Sequence, residues 1–231
     1  MYISVITEFI WHHTERHKLQ NTTFKPYTTD NDWTEFYLDN VAKITVSSID
    51  RCYVLHKIAQ HCNNITGCFV ECGVYRGGTA LVLLNAAKYK TIYLYDTFTG
   101  LPRELITKED KAHRQGDFSN NNINEVIKIT NEHKGTNVIC ISPVIIPSTF
   151  DCFLSDCRVA LLHIDVDLLK TTKDCLLFFY NKMANGGIMV FDEYLFPGYI
   201  NTAKKAIDEF FEDKPEVVIP LPCGQGVVIK L

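Results

Sequence analysis

Cys68-Phe69-Val70-Glu71-Cys72-Gly73-Val74-Tyr75-Arg76-Gly77-Gly78 is an apolar run that meets an acid and opens into a glycine turn. Three later runs also end on acids. Ile92-Tyr93-Leu94-Tyr95 leads to Asp96, and Leu161-Leu162-His163-Ile164 to Asp165, with Asp167 two residues on. Ile188-Met189-Val190-Phe191 leads to Asp192-Glu193. Buried parallel strands read as apolar runs, and open α/β sheets bind ligands just beyond the strands' carboxyl ends. Four such ends describe one acidic rim with a glycine gap in it.

Outward from this stretch, apolar spacing predicts a helix over about 48–62, opened by Ser47-Ser48 as a cap, and another over about 77–89. Strands follow at about 67–71, 91–96, 137–142, 159–164 and 188–192, with helices at about 122–133, 171–183 and 199–213 between them. Two final runs, about 216–220 and 225–230, are separated by Pro222 and Gly224 and read as an antiparallel hairpin. Alternating strands and helices imply an α/β fold: a mostly parallel seven-stranded sheet, covered by helices on both faces, with a C-terminal antiparallel hairpin. The polar stretch from Thr97 to Phe118 has no periodicity and reads as an active-site loop or lid. Residues 1–46 read as an N-terminal extension that packs on the core or on a second subunit. Residues 47–231 read as one domain.

The bulk properties narrow the class. The chain has 231 residues, 46% hydrophobic and 22% charged, with net charge −4. No nucleic-acid partner is expected at that charge, and no membrane association, because no apolar stretch is long enough to span a bilayer. The start lacks the features of a signal peptide. The nine cysteines are scattered, with no C-x-x-C pair, and read as reduced thiols of a cytoplasmic protein. His12, His13 and His17 form no ligand quartet of zinc-finger spacing with them.

The turn Glu71-x-Gly73-x-x-x-Gly77-Gly78 is neither the dinucleotide fingerprint nor a P-loop. A pyrophosphate would also be repelled by Glu71 and Asp96. A cofactor with an amino group and a ribose but no phosphate suits the rim better, and S-adenosylmethionine is such a molecule. Asp96 is placed to accept hydrogen bonds from ribose hydroxyls, and Gly73 to let the backbone approach the ligand. Asp165 and Asp192-Glu193 should end neighbouring strands. No Arg or Lys lies in those strand ends to neutralise them, so a hard divalent ion such as Mg²⁺ is expected there. Asp167 is a competing candidate for the cap of the following helix.

Glu71-Cys72-Gly73-Val74-Tyr75-Arg76-Gly77-Gly78, Tyr95-Asp96-Thr97-Phe98-Thr99-Gly100-Leu101-Pro102, Asp165-Val166-Asp167-Leu168 with Thr171-Thr172, Gly186-Gly187-Ile188 and Asp192-Glu193-Tyr194 occur in this order. Together, over about Ser47 to Leu231, they resemble the macrocin O-methyltransferase (TylF-type) family. The resemblance implies a Rossmann-like class I methyltransferase fold and a Mg²⁺-dependent enzyme that methylates a hydroxyl of a sugar or glycosylated small molecule. It makes Glu71, Cys72, Gly73, Val74, Tyr75, Gly77, Asp96, Thr97 and Phe98 cofactor contacts, and sets Ser119 near the adenosine. It makes Asp165, Asp192 and Glu193 metal ligands, Asp165 being catalytic as well, and Asp167 a candidate general base. His113, in the lid, becomes a candidate for substrate contact or proton transfer. Three departures stand out: Glu193 where the family often has a second Asp, Leu169 where a Tyr is usual, and Val144 in place of a glycine ahead of Pro147-Ser148-Thr149. They fall mostly on the acceptor side.

Other readings of the same residues are a methyltransferase of catechols or other vicinal diols, a non-catalytic cofactor-binding subunit and, against the glycine spacing, a nicotinamide dehydrogenase. A homodimer is expected from the aromatic-rich N-terminal segment with Phe9, Trp11, Trp33, Phe36 and Tyr37.

Overall fold

The computed structural model describes residues 25–146, 150 and 157–231. Its centre is the sheet that the apolar runs predict. The strands are β1 (Cys68–Cys72), β2 (Thr91–Asp96), β3 (Val138–Pro143), β4 (Val159–Ile164), β5 (Met183–Phe191), β6 (Ile219–Pro220) and β7 (Gly226–Ile229). They lie in the order β3-β2-β1-β4-β5-β7-β6. The first five are parallel; β7 runs antiparallel to β5 and to β6. The chain reverses its direction of winding between β1 and β4. That switch point leaves a crevice above the carboxyl ends of both strands.

Alternate strand residues face opposite layers. Phe69, Ile92, Leu94, Leu161 and Val190 pack on one side of the sheet with α2 (Ile49–Cys62) and α3 (Gly78–Ala86). Val70, Tyr93, Leu162, Met189 and Val228 pack on the other side with α5 (Leu169–Phe179) and α6 (Ala203–Phe211). Helix α4 (Ile123–His133) contributes Val126 to the first layer. The terminal hairpin is shorter than expected, with only two residues in β6. Strand β5 begins five residues earlier than the apolar run suggests, because Met183 already pairs with Val159.

Ahead of the sheet, α1 (Asn31–Phe36) runs into a π-helical turn, Tyr37–Val41. Trp33 is 3% exposed and lies over His56 of α2, with ring centroids 4.5 Å apart. Tyr37 and Val41 are also buried. Trp33 and Tyr37, expected to seek a second subunit, are thus consumed within their own chain. Phe9, Trp11 and the three N-terminal histidines lie outside the described residues, as do Pro147, Ser148 and Thr149. Among the described residues no helix is long and apolar enough to cross a membrane, and the described cysteines are all free thiols.

Candidate active site

A cavity of about 330 Å³ opens above the switch point. The β1–β2 side of its wall carries Gly73, Val74, Tyr75, Asp96 and Thr97. The β4–β5 side carries Asp165, Asp167, Asp192 and Glu193. Leu101, Pro102 and Leu105 from the long polar loop close it, with Val144, Ile146 and Phe196. Ile44, Thr45 and Val46 line it too, so the expected extension 1–46 supplies part of the site wall.

The glycine turn is held by Asp96. Its Oδ2 accepts from the backbone N–H groups of Val74 and Tyr75 at 2.7 and 2.8 Å, and its Oδ1 from Phe98 N–H at 2.7 Å. A carboxylate has about four lone-pair sites, so one remains for a ligand hydroxyl. Gly73 has φ +90°, and a Cβ there would sit 1.7 Å from the carbonyl oxygen of Asp165. Its missing side chain is therefore required first by the close approach of β1 to the end of β4. Tyr75, Phe98, Phe118 and Asp167 also have positive φ, between 50° and 63°. For non-glycine residues such backbone costs about 1–3 kcal/mol each and gathers at functional sites.

Several expected contacts fall elsewhere. Glu71 is 0% exposed and does not reach the cavity; its Oε1 lies 3.0 Å from His163 Nδ1, inside the sheet layer. Cys72 points into the opposite layer. Gly77 is the left-handed cap of α3 rather than cavity wall. Phe98 packs on the core, and Ser119 is exposed outside the cavity. Asp167 does not cap the helix after it. That part is played by Asp110 of the lid, whose Oδ1 accepts from Leu169 N–H at 2.9 Å while its Oδ2 accepts from Thr107. The lid is thus pinned to the start of α5. His113 lies behind the cavity wall with its side chain 6% exposed, its ring 5.2 Å from that of Tyr199 and its Nε2 4.0 Å from Asp167 Oδ1. The Tyr199 hydroxyl donates to the same Oδ1 at 2.9 Å.

The acidic rim is not left to a metal alone. Arg51, from the first turn of α2, forms an ion pair with Asp192 Oδ2, and Ser47 Oγ donates to the same oxygen at 3.1 Å. Gln225 donates to Oδ1 at 2.8 Å. His163 Nε2 stands 3.8 Å from Oδ1, an ion-pair distance rather than a hydrogen bond. The expectation that no cation reaches these strand ends is therefore corrected. Arg51 arrives from a helix more than a hundred residues away, and His163 from inside an apolar strand.

These placements set the charge states. Burial pushes the His163 imidazolium down, but Asp192 and Glu71 outweigh it and raise its pKa to about 10. Burial likewise pushes Asp192 up, yet His163 and Arg51 hold it below the usual carboxylate range. For Asp165, burial and the Asp192 charge outweigh the nearby His163 and lift its pKa to about 7. Glu193 is raised well above its ordinary value by burial and by Asp165 beside it. Asp167 is raised by burial. Carboxyls that retain protons near neutrality for want of a counter-charge fit a divalent cation, which restores their ionised form. Donor atoms of His163, Asp165 and Asp192 lie within 4.8 Å of one another. Glu193, the third acid expected to hold a metal, lines the same cavity as Asp165 and Asp192.

A seven-stranded sheet of this order, with a cavity over its switch point and a glycine turn closed by an acid at the end of β2, defines a Rossmann-like class I methyltransferase fold. The chain belongs to the macrocin-O-methyltransferase (TylF) family, whose profile matches residues 4–221. The match extends well ahead of Ser47, where the resemblance read from motifs began. Demethyldecarbamoylnovobiocin O-methyltransferase of Streptomyces niveus is 26% identical over 161 residues, which is 64% of this chain and 59% of that protein. The chain thus spans less than two thirds of that curated relative. The O-methyltransferase NovP superposes with a TM-score of 0.68 at 24% identity, over 81% of this chain and 82% of that one. The calicheamicin methyltransferase CalS11 gives 0.67 at 18% identity, over 94% and 90%. Both likenesses show the fold.

Proposed function

We propose that this protein is an S-adenosylmethionine-dependent, Mg²⁺-dependent O-methyltransferase of the cytoplasm that acts on a hydroxyl of a sugar or glycosylated small molecule. The observation that carries the reading is that one cavity receives both the glycine turn with Asp96 and the acids at the ends of β4 and β5. Family membership and the named activities of the relatives support the reaction class.

S-adenosylmethionine, when bound, supplies a methyl group already activated on a sulfonium. Mg²⁺, held by Asp165, Asp192 and Glu193, supplies a Lewis acid that makes a hydroxyl more acidic. The chain's own task is alignment, exclusion of water and proton removal. Val74 and Tyr75, fixed by Asp96, would form the floor under the cofactor, and the last lone pair of Asp96 would take a ribose hydroxyl. Leu101, Leu105, Val144, Ile146 and Phe196 keep the reacting region dry. Correct alignment supplies roughly 7–11 kcal/mol of the barrier reduction. Asp167 is the general base. Tyr199 occupies its Oδ1, leaving Oδ2 for the acceptor's proton, and His113 stands next to carry that proton outward.

The test is methyl transfer from methyl-labelled S-adenosylmethionine to a panel of free sugars, glycosides and simple diols, with Mg²⁺ or with chelator. Label is expected in an ether of a glycoside, lost in chelator and in Asp167→Asn. Transfer to simple diols but to no sugar overturns the acceptor class. Equal transfer in chelator overturns the metal.

A further inference from the structure

Asp192 is the most heavily engaged carboxylate of the rim. Arg51 and Ser47 share its Oδ2, and Gln225 takes one site on Oδ1, so three of about four lone-pair sites are filled. Among the described residues the ion pair of Arg51 goes to Asp192, and no arginine or lysine forms one with Asp165 or Glu193 beside it. A divalent ion that draws on Asp192 therefore meets a guanidinium already seated on that carboxylate, and like charges at such range repel strongly in a site shielded from water.

Arg51 is also held by groups other than Asp192. Its Nη2 donates to the carbonyl of Val46 at 3.2 Å, its Nε to Ser48 Oγ at 3.3 Å, and its Cζ lies 4.9 Å from the centre of the Phe196 ring. Those holds keep the guanidinium at the cavity wall when its grip on Asp192 is released. We propose that Arg51 is the resident counter-cation of the rim, and that a divalent ion must displace it from Asp192 in order to bind. The proposal rests on the reading that the rim takes a metal. It adds that metal entry breaks the ion pair between the start of α2 and the end of β5 while the contacts of Arg51 with Val46, Ser48 and Phe196 remain.

Competition and support predict opposite signs. If Arg51 competes, its removal tightens metal binding. If it merely holds Asp192 in a ligating orientation, removal weakens it. The experiment is a Mn²⁺ titration of the full chain followed by electron paramagnetic resonance, for wild type, Arg51→Gln and Arg51→Lys, with circular dichroism as a check of folding. Arg51→Gln is expected to bind Mn²⁺ at least tenfold more tightly than wild type, and Arg51→Lys to stay within about threefold of it. Unchanged or weaker binding by folded Arg51→Gln overturns the proposal. Absence of Mn²⁺ binding to wild type and variant alike overturns the metal reading itself, and is thereby told apart. Should Arg51→Gln not fold, the wild-type Arg51 side-chain NMR signals decide. They are expected to shift and to lose exchange protection as Mg²⁺ is added, and signals that do not move while Mg²⁺ binds overturn the displacement.

Discussion

On the β1–β2 side of the cavity, Asp96 takes its hydrogen bonds from the backbone of Val74, Tyr75 and Phe98. On the β4–β5 side, Asp192 takes its partners from the side chains of Ser47, Arg51, His163 and Gln225. The first half is a compact device: one acid at the end of β2 organises the turn that follows the neighbouring strand β1, 22 residues earlier at Val74, through backbone amides. The second half is an assembly of polar and charged side chains gathered from three distant segments around buried carboxylates. A local turn held by amides is set by backbone conformation. A buried charge cluster is set by electrostatic balance, and removal of one member leaves the others uncompensated.

The contrast is broken most severely at Gly73. Gly73→Ala forces a Cβ to within 1.7 Å of the Asp165 carbonyl, and both halves separate. A loss of at least about 3 kcal/mol in unfolding free energy is expected, read by denaturant titration. Asp192→Asn comes next. It strands Arg51 as a buried cation and leaves His163 with Glu71 alone, with an expected cost of about 3–5 kcal/mol together with loss of metal-dependent turnover. Asp165→Asn sharpens the comparison, because among the described residues Asp165 is held in no ion pair of the kind that joins Arg51 to Asp192. It should abolish turnover as completely, yet leave the melting temperature unchanged or raised. Equal destabilisation by both substitutions would show that the charges are not apportioned as described.

Asp96→Asn weakens the hydrogen bonds that hold the turn, and should cost about 1.5–3 kcal/mol in S-adenosylhomocysteine binding, measured by calorimetry. The pH dependence follows from Asp165. Its folded-state pKa of about 7 lies above the ordinary value of 3.8 for an aspartate carboxyl. Without a cation, the group therefore withdraws stability as pH rises from about 4 to about 7. A divalent ion must expel its proton below about pH 7, so affinity should fall as the solution is acidified through that value. Calorimetry in buffers of different ionisation enthalpy would reveal the released proton. The smallest effect is expected at Ser119, exposed and outside the cavity. Ser119→Ala should change cofactor affinity by no more than about 0.5 kcal/mol.

What the sequence made legible divides along the same line. Strands β1 to β5, the glycine turn, Asp96 and the acids at the ends of β4 and β5 are each marked by a contiguous pattern, and the sheet order follows from their alternation with helices. The partners of those acids carry no such mark. Arg51 is one cation among many on a helical segment, His163 sits inside an apolar run where a buried histidine is unremarkable, and Gln225 belongs to the hairpin turn. Glu71 was misplaced for a related reason. Its position near the strand end is legible, but whether it faces the cavity or His163 depends on pairing between β1 and β4. One signal was available: His163 shares a strand face with Asp165, two residues on, which could have drawn attention to it.

The most direct measurement is anomalous diffraction from crystals grown with S-adenosylhomocysteine and Mn²⁺. One strong manganese peak is expected among Asp165, Asp192 and Glu193, with the nucleoside lying over Gly73 and its ribose against Asp96. Nucleoside density there with no manganese at the three carboxylates, or manganese bound elsewhere, would contradict this expectation.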